Sequence, residues 1–243
     1  MNADRAARLE RGRADAVVAD RQPHHPRGAI GVHDAATDSF TLHTSSQGSG
    51  YLRRTLAGPV LRIAPARLRV VTPDVGGAFG AKLFPYPEQA LVLAAAKLVG
   101  RPVRWIAERG EAFLSDYAAR GQVNRAELAL DADGRFLALR VDTIADLGYA
   151  LSANAPHVPT TGSNKMLTGA YAIPAAHMRV RGAFTNTAPV EAYRGAGRPE
   201  SIHVVERLVD RAARPRRGRA RSRRCAAAVR QACATAAPRP APR

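Results

Sequence analysis

The sequence predicts an α+β fold in which mixed sheets carry packed helices. Three observations support this. Segments with the two-residue alternation of strands outnumber those with helical spacing. One Ala-rich apolar run, Pro87 to Val99, has a starting proline and a stopping glycine, Gly100. An Asp-Gly-containing turn, Asp131 to Gly134, separates two alternating runs and predicts a hairpin.

The elements follow in order. Residues 1–26 lack apolar period, and Gln22-Pro23-His24-His25-Pro26 breaks any helix, so an irregular leader is expected. Gly28 to Val32 reads as a strand, Asp34 to Asp38 as a turn, and Ser39 to Thr44 as the returning strand, which leads to Gln47 at its end. Tyr51 to Leu61 has helical spacing, with Leu52, Leu56, Val60 and Leu61 as its stripe. Arg67 to Val71 is a strand entering the glycine-rich stretch Pro73 to Lys82. The helix over Pro87–Val99 is apolar around most of its circumference, which predicts burial. Pro102 to Ile106, Asn124 to Leu130, Phe136 to Ala145 and Met178 to Phe184 read as strands, with a polar loop from Gly148 to Gly169. A second glycine-containing loop spans Arg194 to Pro199, and Ser201 to Ala213 carries Ile202, Val205, Leu208 and Val209 on one helical face. The domain reading is therefore a leader over 1–26, one domain over 27–214, and an Arg/Ala/Pro-rich tail over 215–243 that is disordered or frame-shifted.

The net charge of +17 suggests a nucleic-acid partner until the charge is located. Nine arginines and no acidic residue fall in Pro215 to Arg243, leaving +8 over the first 214 residues. The tail lacks interleaved aromatics and any recognition module, so nucleic acid is an unlikely partner. Both cysteines, Cys225 and Cys233, lie in the tail, and the body offers no disulfide framework or zinc spacing. Met1 to Arg21 is charged throughout, with no signal-peptide character, and no run approaches the roughly 18 apolar residues of a membrane span. A cytoplasmic location without membrane contact is the resulting expectation.

Three segments occur together: Ser45-Ser46-Gln47, Gly76-Gly77-Ala78-Phe79-Gly80, and Glu191-Ala192-Tyr193-Arg194-Gly195-Ala196-Gly197-Arg198. Each alone is weak, but their order and separation are specific. With the Arg101-to-Trp105 strand and Phe184-Thr185-Asn186-Thr187-Ala188-Pro189, they resemble the molybdopterin-binding large subunit of the xanthine dehydrogenase/aldehyde oxidase family. The resemblance runs from about Arg27 to Arg214 and corresponds to a fragment, the first molybdopterin-binding domain. It implies hydroxylation of aldehydes or electron-poor N-heterocycles with oxygen from water. It also implies molybdopterin with molybdenum, in the cytosine dinucleotide form, with electrons leaving through iron–sulfur clusters and FAD on partner subunits. The metal is held by the pterin, so no metal ligand is expected from the protein itself.

By resemblance, Gln47 offers a neutral amide donor to an oxo ligand. Gly76, Gly77, Ala78, Phe79 and Gly80 bring the backbone against the cofactor. Ala78 stands where a third glycine is common and requires a negative φ. Arg194 is the expected catalytic residue, stabilising oxyanion charge near the reacting carbon. Two positions narrow the substrate. Carbon monoxide dehydrogenases of the family carry a copper-binding cysteine where Gly195 stands, and xanthine-specific enzymes carry a glutamate where Leu83 stands. Aldehydes or N-heterocycles remain.

The family's general base is a glutamate in a second molybdopterin-binding domain, farther along than this sequence runs. The expected partners are therefore an iron–sulfur subunit, an FAD subunit, a chain carrying that second domain, and a small-molecule substrate. Alone the chain is expected to be inactive. Two alternatives stand beside this reading: a non-catalytic gene remnant, and a basic protein that binds nucleic acid through its tail.

Overall fold

A computed structural model describes residues 8–16 and 26–213. The tail, with both cysteines, lies outside the described residues. Among those described, the strands and helices in chain order begin with β1 (Arg8–Ala16), β2 (Gly28–Asp34), β3 (Ser39–Thr44) and α1 (Ser49–Thr55). Next come β4 (Leu68–Val71), α2 (Pro87–Val99), β5 (Val103–Ile106) and α3 (Arg109–Ser115). The chain closes with β6 (Gln122–Leu130), β7 (Phe136–Asp146), β8 (Ala176–Ala183) and α4 (Arg198–Ala213). The α+β expectation is met.

The chain divides into two compact units, whereas the sequence reading runs 27–214 as one domain. The break after Ala119 carries no Pro-, Gly- or Ser-rich linker that would have marked it. One unit contains β1 with residues 120–190 and 195–213. Its sheet has the order β1-β6-β7-β8, antiparallel except for the parallel β7–β8 pair. Leu128, Leu130, Leu139 and Val141 from the sheet meet Val204, Val205, Leu208 and Val209 of α4 in its core. α4 begins three residues earlier than the periodicity indicates. β1 is the main departure, since it falls in the stretch read as irregular. Its residues lack β-branched side chains, so the strand depends on the ladder offered by β6 rather than on its own propensity.

The second unit contains residues 26–119 with 191–194. Its sheet has the order β4-β3-β2-β5, with only β3–β4 parallel. Leu42, Leu52, Leu56, Leu68 and Leu93 are fully buried where α1 and α2 lie on the sheet. The helix read over Tyr51–Leu61 is α1 continued by a wider turn, Leu56–Val60. Pro59 cannot donate there, and the Leu61 N–H reaches back to the Leu56 carbonyl. α2 has the bounds read from sequence: the Tyr86 N–H is capped by Gln89 Oε1, and Gly100 ends it at φ 63°. Only one face of α2 is covered, however. Val92, Leu93 and Ala96 are buried, while Leu91 and Leu98 are exposed, because the helix lies on a single sheet layer. α3 has no counterpart in the sequence reading: it is two turns long and buries only Ala112. Arg27 links these parts. Its guanidinium donates to Glu88 and Ser115 and lies 3.8 Å from the centroid of the Tyr86 ring.

Two expectations follow from this unit. A Cβ added at Gly31 would sit 2.4 Å from the Val92 carbonyl oxygen, so helix and sheet cannot keep their spacing. Gly31→Ala should cost about 2 kcal/mol in urea unfolding. Gly58→Ala, which meets nothing within 4 Å, should be neutral or stabilise by about 0.5 kcal/mol. The second concerns pH. Asp38 joins Lys97, His33 and Arg67, and these groups, Lys97 foremost, hold its carboxyl below the usual carboxylate range. A depressed carboxylate stabilises above its unfolded value and loses that contribution as pH falls through the folded one. Asp38→Asn should therefore flatten the drop in melting temperature below about pH 4, measured as Tm against pH.

Candidate active site

The residues singled out by the sequence meet within the second unit. They come from the turn after β3, the loop between β4 and α2, and the segment 191–194. Gln47 does not end the strand as read: β3 stops at Thr44, and Gln47 lies in the turn before α1. Its N–H donates to the Lys82 carbonyl at 2.9 Å, and its side-chain oxygen accepts the Gly80 N–H at 2.9 Å. This second bond fixes the amide. Reversing it would set NH2 against N–H, so Oε1 must face Gly80 and Nε2 faces away as a donor. Nε2 has no partner among the described residues, and the side chain is exposed.

Four of the five loop residues have left-handed backbone: Gly76 at φ 65°, Gly77 at 83°, Phe79 at 53° and Gly80 at 107°. Ala78 does not, which is the condition its side chain imposes. The strained residue is Phe79, and such a conformation costs on the order of 1–3 kcal/mol. Its neighbours hold it in place. The Phe79 carbonyl accepts the Arg194 N–H at 3.0 Å, Gly80 is bound by Gln47, and the Ala81 N–H donates to the Ala78 carbonyl at 2.9 Å.

The backbone N–H groups of Gly76, Gly77, Ala78 and Phe79 are consecutive, and none has an acceptor among the described residues. Buried backbone donors are rarely left unpaired, and Ala78 is buried. Such a run of donors is a ready concavity for an anionic group.

Residues 191–194 back the loop. Glu191 is fully buried; its N–H donates to the Ala118 carbonyl, and its carboxylate accepts the Ala192 N–H at 2.9 Å. The Ala192 carbonyl lies so close to Gly80 that an added Cβ would come within 2.3 Å of it. Arg194 is exposed, with its guanidinium carbon 5.7 Å from the centroid of the Phe79 ring, within cation–π range.

Beneath the loop, Lys82 is 3% exposed and its Nζ donates to the Val75 carbonyl at 2.6 Å. Burial, and then the charge of Arg27, push its ammonium below the usual lysine range. Among the described residues no cluster of three His, Cys, Asp or Glu side chains is placed to hold a metal ion. The sequence reading placed Glu191 and Ala192 within the third segment without giving them a role, and gave Lys82 none. Only the glycine at position 80 hinted at the close approach of a second backbone.

Comparisons with known proteins identify the family. Residues 9–217 match the family model of the molybdopterin cofactor-binding domain. The carbon monoxide dehydrogenase large chain of Hydrogenophaga pseudoflava is 35% identical over 185 residues, 75% of this chain and 23% of the relative. The nicotine 6-hydroxylase large subunit of Paenarthrobacter nicotinovorans is 32% identical over 194 residues, 79% of this chain and 24% of the relative. Among solved structures, quinoline 2-oxidoreductase from Pseudomonas putida 86 superposes with a TM-score of 0.81 at 35% identity, covering 86% of this chain and 27% of that one. The chain thus spans roughly a quarter of the length of these relatives.

The geometry makes Gly80 the least replaceable residue of the loop. Gly80→Ala combines a backbone clash with an unfavourable φ and should cost about 2–3 kcal/mol in urea unfolding. The amide resonances of Gln47 and Arg194 should shift with it, because both residues bond directly to the Phe79–Gly80 pair.

Proposed function

The chain belongs to the molybdopterin cofactor-binding domain family, and from that premise we propose that it forms part of the molybdopterin-binding subunit of a cytoplasmic oxidoreductase that hydroxylates aldehydes or N-heterocycles with water-derived oxygen. The observation that carries this reading is the run of N–H groups from Gly76 to Phe79 without acceptors among the described residues, beside an amide locked as a donor at Gln47. A phosphorylated pterin with its metal–oxygen group is rich in acceptors, so the donor set fits it. When bound, molybdopterin supplies the redox chemistry of hydroxylation.

The chain's own residues bind and orient. Gly76, Gly77, Ala78 and Phe79 hold the cofactor by backbone donors, and Gly80, whose N–H is taken by Gln47, fixes the end of the loop against it. Gln47 Nε2 donates to an oxygen of the bound group without adding charge. Arg194, poised over Phe79, stabilises negative charge on the substrate as it develops. The general base comes from the second molybdopterin-binding domain, and electrons leave to iron–sulfur and FAD subunits. The cofactor is the cytosine dinucleotide form.

Two residues support the substrate class. Gly195 has φ 97°, and a Cβ there would lie 2.7 Å from the Pro199 ring, which disfavours the cysteine of a copper-dependent carbon monoxide site. Leu83 is half-buried and packs toward Gly48, an apolar neighbour where purine recognition would need a carboxylate.

Purified protein should carry pterin and molybdenum, measured by oxidised-pterin fluorescence and metal analysis. Metal- and pterin-free chain, folded or aggregated, would overturn the proposal in favour of a remnant. In the assembled complex, Arg194→Met should lower kcat about 100- to 1,000-fold while leaving pterin content unchanged.

A further inference from the structure

The glycine loop is held at its distal end by Gln47 and Arg194, which bind Gly80 and Phe79. Its proximal end, where Gly76 and Gly77 turn their backbones left-handed, is bonded to neither of those residues. One side chain reaches that end. Lys82 Nζ donates to the Val75 carbonyl across seven residues and closes the stretch Val75–Lys82 into a ring. The Lys82 carbonyl meanwhile accepts the Gln47 N–H. One residue therefore links the start of the loop, its end and the Gln47 turn.

The lysine is an unusual choice for this task. It is 3% exposed, and among the described residues no carboxylate pairs with it. A buried ammonium facing a single carbonyl works against folding, since burial lowers its proton affinity relative to the unfolded chain. A methionine of similar length would fill the same space without that penalty. The cation therefore contributes something other than stability, and its Nζ binds the carbonyl of the same peptide group that carries the Gly76 N–H.

We infer that Lys82 is a positioning residue for the anionic cofactor: its Nζ–Val75 clamp holds the Gly76 and Gly77 N–H groups convergent, and its charge biases the loop toward an anionic ligand. The inference rests on the molybdopterin reading for the identity of that ligand, but the clamp is testable without it. Gln47 and Arg194 do not substitute for the clamp, because their bonds fall at Phe79 and Gly80.

The test compares the full chain with Lys82→Met and Lys82→Gln, the second keeping a donor should the methionine variant not fold. In ligand-free protein, backbone order parameters at Gly76 and Gly77 should fall from about 0.85 to below about 0.6 in the methionine variant, while Gly80 stays rigid. The glutamine variant should lie between. Pterin retained per chain should fall about tenfold in the methionine variant, with no loss of resistance to urea. Unchanged order at Gly76 and Gly77 would overturn the clamp, and so would equal loss of order at Gly80. Wild-type chain without pterin would instead overturn the functional reading, leaving the order parameters to judge the clamp.

Discussion

The site depends on the contact of residues 191–194 with the glycine loop. The Arg194 N–H on the Phe79 carbonyl and the Ala192 carbonyl against Gly80 fix two backbones at a separation that admits no side chain. Several other features follow from this contact. Phe79 stays left-handed because its carbonyl is held from one side and the next N–H from the other. Gln47 has its amide oriented because Gly80 is where it is. Arg194 lies over the Phe79 ring because its own N–H is anchored there. The buried carboxylate of Glu191 accepts the next N–H, that of Ala192. A strained residue persists only where its surroundings over-determine it, and Phe79 is held in this way.

The electrostatic character of the site follows from which groups are left over. The Phe79 carbonyl and the Gln47 side-chain oxygen, two of its acceptors, are already used by N–H donors. The consecutive donors Gly76 to Phe79 and the Gln47 Nε2 are not used among the described residues. Arg194 and Lys82 add positive charge. Preorganised donors of this kind need no reorganisation when negative charge arrives, so they are worth more here than in water. The arrangement thus selects the charge of a ligand before its shape. That is consistent with a family whose cofactor holds its own metal and asks the protein mainly for donors.

How far the sequence foretold this varies with the physical origin of each feature. α2 was legible to the residue because proline, apolar run and glycine agree with one another. β3 was legible because its alternation is strict. The condition on Ala78 was legible because it follows from Cβ sterics alone. β1 was not legible, since its partner rather than its composition makes it a strand. α3 was not, because two turns with one buried residue leave no period to read. The exposed face of α2 was invisible, since an apolar circumference says nothing about how many layers cover it. Among the site residues, the resemblance named the loop, Gln47 and Arg194, and the model brings these together. Lys82 and Glu191 were given no role because a charged side chain reads as solvated until the fold buries it.

Residues 191–194 complete a unit whose other members precede residue 120, so the chain must return after an excursion of about seventy residues, and closure of an open loop of that length costs entropy. The first unit removes most of that cost by its own folding. Gly121, at the start of the excursion, accepts the Asp146 N–H at 2.8 Å, and Val190, at its end, donates to the next carbonyl, Leu147, at 3.5 Å. Both ends of the excursion are thus bound to adjacent residues at the end of β7. Glu191 is then delivered to the Ala118 carbonyl, where its N–H is bound. The sheet built from β6, β7 and β8 therefore carries no residue of the proposed site, although the chain that joins the two parts of the site's unit runs through it.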